Sequence, residues 1–338
     1  MWAEFKSRFG WKTSFFLIDW FEDGKIKTPL LVLSRKLIPG FSFAYIPWGP
    51  SMPPSQFSAE ERAHAAAVLS RKMKHLLSRN TVFLRFDFPW YYLDGDENLI
   101  NENTLLKKAG FIPAAANVQP PDTVIIDLKK SCDEILSSMK SKWRYNISLA
   151  EKKGVTVKQR ESCDLEIFYN LLKETALRDG IAVHGYNYYK TLFDLCENQK
   201  KEKHSVKLYT ASHEGETLAA IVVLFRGKDA VYLYGASSNN KRNLMCPYVL
   251  QWKAMNDAKE AGCESYDLFG IPPDDNPNHP MAGLYRFKTG FGGQIIHRIG
   301  SSDFIYKKLF YVLFRSAEKL RKKLFDLKKT SHKAAKKI

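Results

Sequence analysis

The sequence lacks any apolar run long enough to cross a bilayer. Its longest uninterrupted run, residues 218–225, contains eight residues, whereas a transmembrane helix needs about 20. The N-terminal residues, MWAEFKSRFGW, contain no apolar core of the kind that marks a secretory signal peptide. These absences predict a cytoplasmic protein. Contact with the membrane would then be peripheral, at its inner face.

Cysteine is scarce, and the motifs of several enzyme classes are missing. The five cysteines are odd in number and scattered, and none forms a CxxC pair. This pattern argues against a disulfide framework and a zinc site and favours a reducing compartment. The sequence also contains no Ser-His-Asp, HExxH, Walker or cysteine-nucleophile signature. We therefore expect no metal and no cofactor.

Positive charge is abundant and unevenly placed. The formal net charge is +16 and the pI is about 9.4. Residues 315–338 contain ten Lys or Arg and two acids, so half of the excess lies in this segment. Such a charge balance indicates an anionic partner, either nucleic acid, an acidic membrane face or a phosphorylated substrate. A merely soluble basic surface is the alternative.

The length of 338 residues favours two domains. Capping boxes at Ser58/Glu61 and Ser131/Glu134 predict helices that end near residues 79 and 154. Asp23-Gly24 predicts a hairpin turn. The final helix is predicted over residues 304–327, with one apolar stripe consisting of Leu309, Leu313, Ala317, Leu320 and Leu324.

An internal repeat in the order of predicted elements indicates two copies of one α/β unit. A strand at 41–48, a turn, a helix and a strand at 82–88 match a strand at 230–235, a turn, a helix and a strand at 265–269. This order is typical of an α/β (α+β) fold with two tandem GNAT-like (acyl-CoA N-acyltransferase-like) domains. We predict the first domain at 1–129, the second at 130–302, and a C-terminal helix at 303–338 that packs on the first domain and continues as a basic tail.

The segment that would contact CoA pyrophosphate in such a fold has the wrong composition. A CoA enzyme presents glycine-rich backbone amides at a helix N-terminus, but residues 238–244, SNNKRNL, contain no glycine. The corresponding turn in the first copy contains Pro53 and Pro54, which lack amide donors. A CoA-dependent enzyme is therefore the weaker alternative.

Motifs spread over nearly the whole chain point to one family. The most specific stretch is 231–293, which contains YLYG, a helix, YDLFG and AGLYRFKTGFGG. Further segments are WAEFKSRFGW, IPWGP, WRYNISLAEKKG, ETALRDG and Tyr188-Tyr189. Together they resemble the Fem-type transferases (FemA, FemB, FemX), which add amino acids from aminoacyl-tRNA to peptidoglycan precursors.

The resemblance implies a monomeric aminoacyltransferase with two GNAT-like domains. Its donor would be aminoacyl-tRNA, and its acceptor would be the stem-peptide side-chain amine of UDP-MurNAc-pentapeptide or lipid II. The product would be an interpeptide bridge of the cell wall. Because residues 186–206 leave no room for a long helical hairpin, we expect the smaller form without that insertion.

The resemblance also implies residues for the acceptor. Lys6 stands where the family has a basic residue on the diphosphate of the precursor. Tyr188 matches a tyrosine that faces the nucleotide sugar, but His184 replaces the family's arginine four residues earlier. Arg178 is a candidate to compensate for that replacement, although a charge at a helix end is its simpler interpretation. Lys6 on a solvated surface and Tyr188 in a core are the structural alternatives.

Four further positions belong to the reacting centre that the resemblance implies. Tyr234 ends its strand and is a candidate to contact the acceptor; strand alternation predicts Tyr232 on the same face. Asp87, in preference to Asp267, is a candidate to orient the amine. The pair Phe287-Lys288, in a glycine-bounded loop, would meet the acceptor end of the tRNA, where a lysine can stabilise an oxyanion or a phosphate. A packed Phe287 beside a solvated Lys288 is the alternative.

A rival function from another class stays open. The same fold could serve a non-catalytic protein whose basic tail binds nucleic acid or membrane. Truncation of the tail separates the two, since it would spare catalysis but abolish simple binding. The sequence identifies neither the amino acid that is transferred nor the acceptor's carrier.

Overall fold

The computed structural model describes residues 1–20, 27–52, 56–198 and 204–320. The chain divides into two compact units. Residues 2–121 and 297–338 form one, here the terminal unit; residues 122–296 with Met1 form the other, here the central unit. The ranges 1–129, 130–302 and 303–338 stay a sequence prediction. The Asp23-Gly24 turn, Pro53-Pro54 and residues 321–338 lie outside the described residues.

The terminal unit contains one mixed sheet. Its strand order is β1-β2-β3-β4-β14-β6, and β3 and β4 are its parallel pair. Helix α2 connects these two strands. The elements are α1 (Trp2–Ser7), β1 (Lys12–Asp19), β2 (Lys27–Ile38), β3 (Phe41–Ile46), α2 (Ala59–Leu76), β4 (Thr81–Asp87), β5 (Tyr91–Leu93), α3 (Asn98–Lys108), β6 (Phe111–Pro113) and β14 (Ser301–Ile305).

Local signals set the start of α2 as predicted. The Ser58 hydroxyl accepts a hydrogen bond from the Glu61 amide at 3.2 Å, and the Glu61 carboxylate accepts one from the Ser58 amide at 2.7 Å. This reciprocal pair satisfies two of the amide donors that a helix N-terminus leaves unpaired. One face of α2 then packs on the sheet through Ala63, Ala66 and Met73.

Strand β14 was not predicted. It brings the segment after the second predicted domain into the sheet of the terminal unit, between β4 and β6. A buried ion pair connects it to its neighbour, because the Arg85 guanidinium donates to both Asp303 carboxylate oxygens at 2.7 and 2.9 Å. Tyr311 donates to the same carboxylate at 2.8 Å. Removing either charge would leave the other buried without its partner.

The central unit repeats the same architecture. Its strands follow the order β13-β7-β12-β11-β10-β9-β8, and β11 and β12 are the parallel pair. Its elements are β7 (Thr123–Asp127), α4 (Cys132–Ser138), α5 (Ser141–Lys152), β8 (Thr156–Arg160), α6 (Leu165–Asp179), α7 (Tyr186–Asn198), β9 (His204–His213), β10 (Glu216–Arg226), β11 (Asp229–Ser237), α8 (Cys246–Glu260), β12 (Ser265–Asp267), α9 (Ala282–Thr289) and β13 (Gln294–Arg298).

The single helix predicted from Ser131 to residue 154 is wrong, because the chain breaks between α4 and α5. Met139 and Lys140 have extended backbone conformations. The Arg144 guanidinium donates to the carbonyls of Ser137 and Met139, which satisfies the end of α4. The Lys140 amide donates to the Gly290 carbonyl at 2.9 Å instead of continuing the helix. Tertiary contacts therefore outweigh the helical pattern here.

The two parallel strand pairs confirm the predicted tandem GNAT-like fold. In each unit an antiparallel run of strands leads into a helix that crosses over to a parallel strand, β3-α2-β4 and β11-α8-β12. The second strand of each pair ends in an aspartate, Asp87 and Asp267. The internal repeat in the sequence thus corresponds to a repeat in the structure.

The C-terminal helix packs through a face other than the predicted one. Residues 308–320 are helical and Phe304 belongs to β14. Phe310 stacks on Phe41 with ring centroids 4.0 Å apart, and Tyr311 and Phe314 pack on Phe83. The predicted contact residues Leu309, Leu313 and Leu320 are instead 69%, 58% and 60% exposed. Aromatic side chains, and not the leucine stripe, anchor the helix in the terminal unit.

Candidate active site

A β-bulge shapes strand β11 where the YLYG motif lies. Val222 on β10 pairs with Tyr234, but the next residue, Val223, pairs with Tyr232, so Leu233 is the extra residue. The bulge reverses the alternation of side chains. Tyr232 consequently packs with the core on the α8 side, whereas Tyr234 packs with the core beneath α6 and α7. The prediction that both tyrosines share one face is therefore wrong.

Lys288 lies where β11 and β12 stop pairing. The two strands pair only at their first three residues, from Asp229 to Val231 on β11. The Lys288 Nζ donates to the carbonyls of Phe269 and Gly270, just after β12, at 2.7 and 2.9 Å. It also lies 5.1 Å from the centroid of the Tyr232 ring. The lysine is on helix α9 and 6% exposed, so the predictions of a loop position and of a solvated alternative are both wrong.

Burial dominates the electrostatics of this lysine. It lowers the pKa of Lys288 from an ordinary value of 10.5 to about 7, and the Asp267 carboxylate opposes that shift. Asp267 itself accepts hydrogen bonds from the Thr123 hydroxyl and from the Phe269 amide. Phe269 has a positive φ of 56°, an uncommon conformation for a residue other than glycine. The turn that presents the two carbonyls is therefore a constrained one.

The lowered pKa predicts a distinctive dependence of stability on pH. Between about 7 and 10.5, the unfolded chain binds a proton at Lys288 that the folded protein has released. The free energy of unfolding should therefore rise with pH in this window, relative to Lys288→Met, by up to about 1.4 kcal/mol per pH unit. Urea unfolding of both proteins across the window measures the difference. A difference that does not change with pH would contradict the buried, ionisable amine.

Phe287 packs beside Lys288 within an aromatic cluster. Its ring makes edge-to-face contacts with Tyr248 and Phe291, each with centroids 5.2 Å apart. Its carbonyl accepts a hydrogen bond from Trp143 Nε1 at 2.9 Å. The ring is only partly buried, and its contact with the acceptor end of the tRNA stays a prediction.

Trp143 and Gly290 are site residues that sequence reasoning did not single out. A Cβ on Gly290 would lie closer than 3 Å to the Trp143 indole, so the indole packs directly on the backbone at the end of α9. Glycine is the residue that permits so close an approach. The signal was present, because both residues belong to motifs already noted, WRYNISLAEKKG and FKTGFGG.

The predicted acceptor residues of the central unit do come together. The His184 ring stacks on Tyr188 with centroids 3.8 Å apart and an interplanar angle of 15°. Tyr188 and Tyr234 share a hydrogen bond between their side chains, and Tyr189 packs edge-to-face on Tyr234 at 5.1 Å. Burial raises the pKa of Tyr188 and of Tyr234, so both are neutral phenols at physiological pH.

Arg178 is engaged in contacts within the central unit. Its guanidinium donates to the Ser237 carbonyl at 2.8 Å, to the Asn239 side chain at 3.2 Å, and to both carboxylate oxygens of Asp179. These contacts connect the end of α6 to the end of β11. The geometry favours the structural interpretation of Arg178 over compensation for the missing arginine.

Lys6 lies in the terminal unit, on the short helix α1. Its Nζ lies 4.3 Å from the Trp2 ring centroid and 5.7 Å from that of Phe5. Partial burial, followed by repulsion from Arg35, lowers the pKa of Lys6. Two neighbouring cations on an aromatic surface suit an anionic ligand, because the ligand would relieve their repulsion.

Asp87, also in the terminal unit, is buried and accepts three hydrogen bonds. Its donors are the Tyr45 and Ser301 hydroxyls and the Gln119 amide, the last at 3.2 Å. Burial raises the pKa of this carboxyl, and the hydrogen bonds oppose the rise. These partners give Asp87 a structural position at the end of β4. Its predicted role in orienting an amine stays a prediction.

Two features are absent from the described part of the chain. Residues 1–20, 27–52, 56–198 and 204–320 contain no group of three or more His, Cys, Asp or Glu arranged to hold a metal ion. Over the same residues, no helix has both the length and the apolar character that a bilayer span requires.

The comparisons with known proteins agree on one family. The model of the FemAB family matches residues 1–202 and 195–319. The lipid II:glycine glycyltransferase of Staphylococcus epidermidis is 25% identical over 97% of this chain and 91% of that protein, and that of Staphylococcus aureus is 24% identical over 94% and 89%. The crystal structure of FemX matches 93% of both chains with a TM-score of 0.76 and 21% identity. The chain belongs to the FemAB family.

Proposed function

We propose that this protein is a tRNA-dependent aminoacyltransferase that acts on a peptidoglycan precursor. The acceptor amine, on the side chain of the diamino acid in the stem peptide, attacks the ester carbonyl of aminoacyl-tRNA. An amide bond forms, the ester C–O bond breaks, and the proton lost by the amine is balanced by protonation of the ribose oxygen. The product carries the first residue of an interpeptide bridge.

The position of Lys288 is the main support for this proposal. In its protonated form, which predominates below about pH 7, the lysine has three N–H donors, and the carbonyls of Phe269 and Gly270 accept two of them. The third is available to an oxygen that becomes negative when the ester is attacked. A donor fixed in a dry environment stabilises such an oxyanion far better than one in water.

The remaining chemistry needs no covalent catalysis. The ester of aminoacyl-tRNA is already activated, so correct placement of the amine and the carbonyl supplies much of the rate enhancement. This fits a sequence without a nucleophile motif. The transferase class itself follows from the family, whose relatives are named as glycyltransferases.

Lipid II is the acceptor that we propose, and this choice rests on two observations. The similar proteins from both staphylococci are named for lipid II. In addition, His184 stands in place of the family's arginine, beside the tyrosine that matches one facing the nucleotide sugar, so the site lacks a guanidinium for the nucleotide that UDP-MurNAc-pentapeptide carries and lipid II does not. At 25% identity, the glycine in the names of these relatives does not identify the amino acid that this protein transfers. The transfer experiment below therefore varies the amino acid on the tRNA.

Restoring the arginine tests the assignment of His184. His184→Arg should tighten the binding of UDP-MurNAc-pentapeptide by about tenfold, because it adds a charge and a fork of donors. Isothermal titration of both proteins measures the change, and His204→Arg, elsewhere in the central unit, is the control for added charge. Unchanged or weaker affinity would mean that His184 does not face the diphosphate.

The direct test of the function is a reconstituted transfer reaction. Purified protein is incubated with a panel of charged tRNAs and with lipid II or UDP-MurNAc-pentapeptide. We expect an amide product with at least one aminoacyl-tRNA, and more product with lipid II. The rival, a non-catalytic binding protein on the same fold, predicts no product with any pair.

A further inference from the structure

The C-terminal helix presents an aliphatic stripe to solvent. Leu309, Val312, Leu313 and Leu320 are 69%, 60%, 58% and 60% exposed. Because successive residues of an α-helix turn by about 100°, these four side chains lie within about a third of the circumference. Single exposed leucines are ordinary on protein surfaces, but a contiguous stripe marks an interaction surface.

The opposite side of the helix fixes this orientation. Phe310, Tyr311 and Phe314 pack against the sheet of the terminal unit, and the Arg315 guanidinium donates to the Pro113 carbonyl at 2.8 Å. The helix is therefore anchored by its aromatic side, and rotating it to bury the leucines would break these contacts. The stripe faces outward as part of the fold.

Cations border the stripe and follow it along the chain. Lys308 and Lys319 are exposed and, with Arg315, lie along one edge of the stripe at the helical spacing. In the sequence, residues 321–338 contain eight Lys or Arg and one Asp. Apolar side chains on one surface with lysines beside them are the composition of a helix that lies in a membrane interface.

We propose that this stripe docks on the surface of an anionic lipid bilayer. The leucines would enter the boundary between headgroups and acyl chains, and the lysines would contact the negative headgroups. Nucleic acid would need the lysines but not the leucines. A second copy of this chain would bring two strongly basic helix surfaces together, which like-charge repulsion opposes. The combination of both features favours lipid.

The test compares the full-length protein with Leu309→Gln/Leu313→Gln/Leu320→Gln. All three positions are exposed, so folding should be unchanged, as thermal unfolding would verify. Leu177→Gln, at another exposed leucine (73%) in the central unit, is the matched control. Co-sedimentation uses vesicles of phosphatidylcholine with phosphatidylglycerol and vesicles of phosphatidylcholine alone, over a salt series. A second variant lacks residues 328–338.

We expect the wild type and Leu177→Gln to bind the anionic vesicles. The triple variant should bind them at least about tenfold more weakly, because three apolar side chains no longer leave water. The truncated protein should lose affinity mainly at low salt, since its contribution is electrostatic. Filter binding of tRNA should be unchanged in the triple variant.

Three results would overturn the proposal. The triple variant could bind vesicles as tightly as the wild type, or the wild type could bind both vesicle types equally. Sedimentation could show a wild-type dimer that the triple variant loses, which would assign the stripe to self-association. The proposal does not depend on the transfer reaction, because vesicle binding and catalysis are measured separately.

Discussion

Replacing Lys288 by alanine should lower kcat/KM for aminoacyl transfer by about 10²–10³-fold while leaving acceptor binding nearly intact. The substitution removes the buried amine that contacts the carbonyls of Phe269 and Gly270. Loss of one preorganised donor to an oxyanion costs about 2.7–4 kcal/mol in the barrier. Single-turnover transfer with a charged tRNA and lipid II measures the rate, and titration with acceptor alone measures binding.

Two controls separate chemistry from folding in this experiment. Arg286→Ala removes an exposed cation from the same helix and should leave the rate unchanged. Lys288→Met keeps most of the side-chain volume and should show the same loss as Lys288→Ala, with a smaller loss of stability. Wild-type turnover in both Lys288 variants would refute the assignment of this lysine to the reacting centre.

Gly290→Ala should lower both stability and transfer rate. The new methyl group would overlap the Trp143 indole, and overpacking of this kind costs about 1–3 kcal/mol. Because Trp143 donates to the Phe287 carbonyl, displacement of the indole should also disturb the end of α9 next to Lys288. Urea unfolding and single-turnover transfer on the same preparation measure the two effects.

The same helix offers a matched control for the glycine experiment. A Cβ on Gly283, also in α9, would meet nothing within 4 Å. Gly283→Ala should therefore be neutral or stabilising by up to about 1 kcal/mol, from helix propensity alone. Equal effects of the two substitutions would show that the packing of Trp143 on Gly290 does not matter.

Features encoded by local signals were predictable from the sequence. The capping boxes at Ser58 and Ser131 and the strand-helix-strand repeat all rest on short-range patterns, and the structure confirms each of them. The grouping of His184, Tyr188 and Tyr234 was also anticipated, through the resemblance to a family. Tyr188 on α7 and Tyr234 on β11 pack against the same hydrophobic core.

The features that sequence patterns missed depend on long-range contacts. Strand β14 pairs with β4 and β6, and its Asp303 accepts a hydrogen bond from Arg85, 218 positions earlier in the chain. Strict alternation of side chains along a strand cannot predict the bulge at Leu233, which places Tyr232 and Tyr234 on opposite faces of the sheet. The C-terminal helix contains two apolar surfaces, and periodicity alone selected the aliphatic one, whereas the aromatic one packs.

The reconstituted reaction is the most direct test of aminoacyl transfer from tRNA to lipid II. Wild-type protein, Lys288→Met and Arg286→Ala are each incubated with lipid II and with tRNAs charged with different radiolabelled amino acids. We expect label in a lipid-linked amide product for the wild type and Arg286→Ala, and at least about 100-fold less for Lys288→Met. Absence of product from the wild type with every charged tRNA, on lipid II and on UDP-MurNAc-pentapeptide alike, would contradict the proposed function.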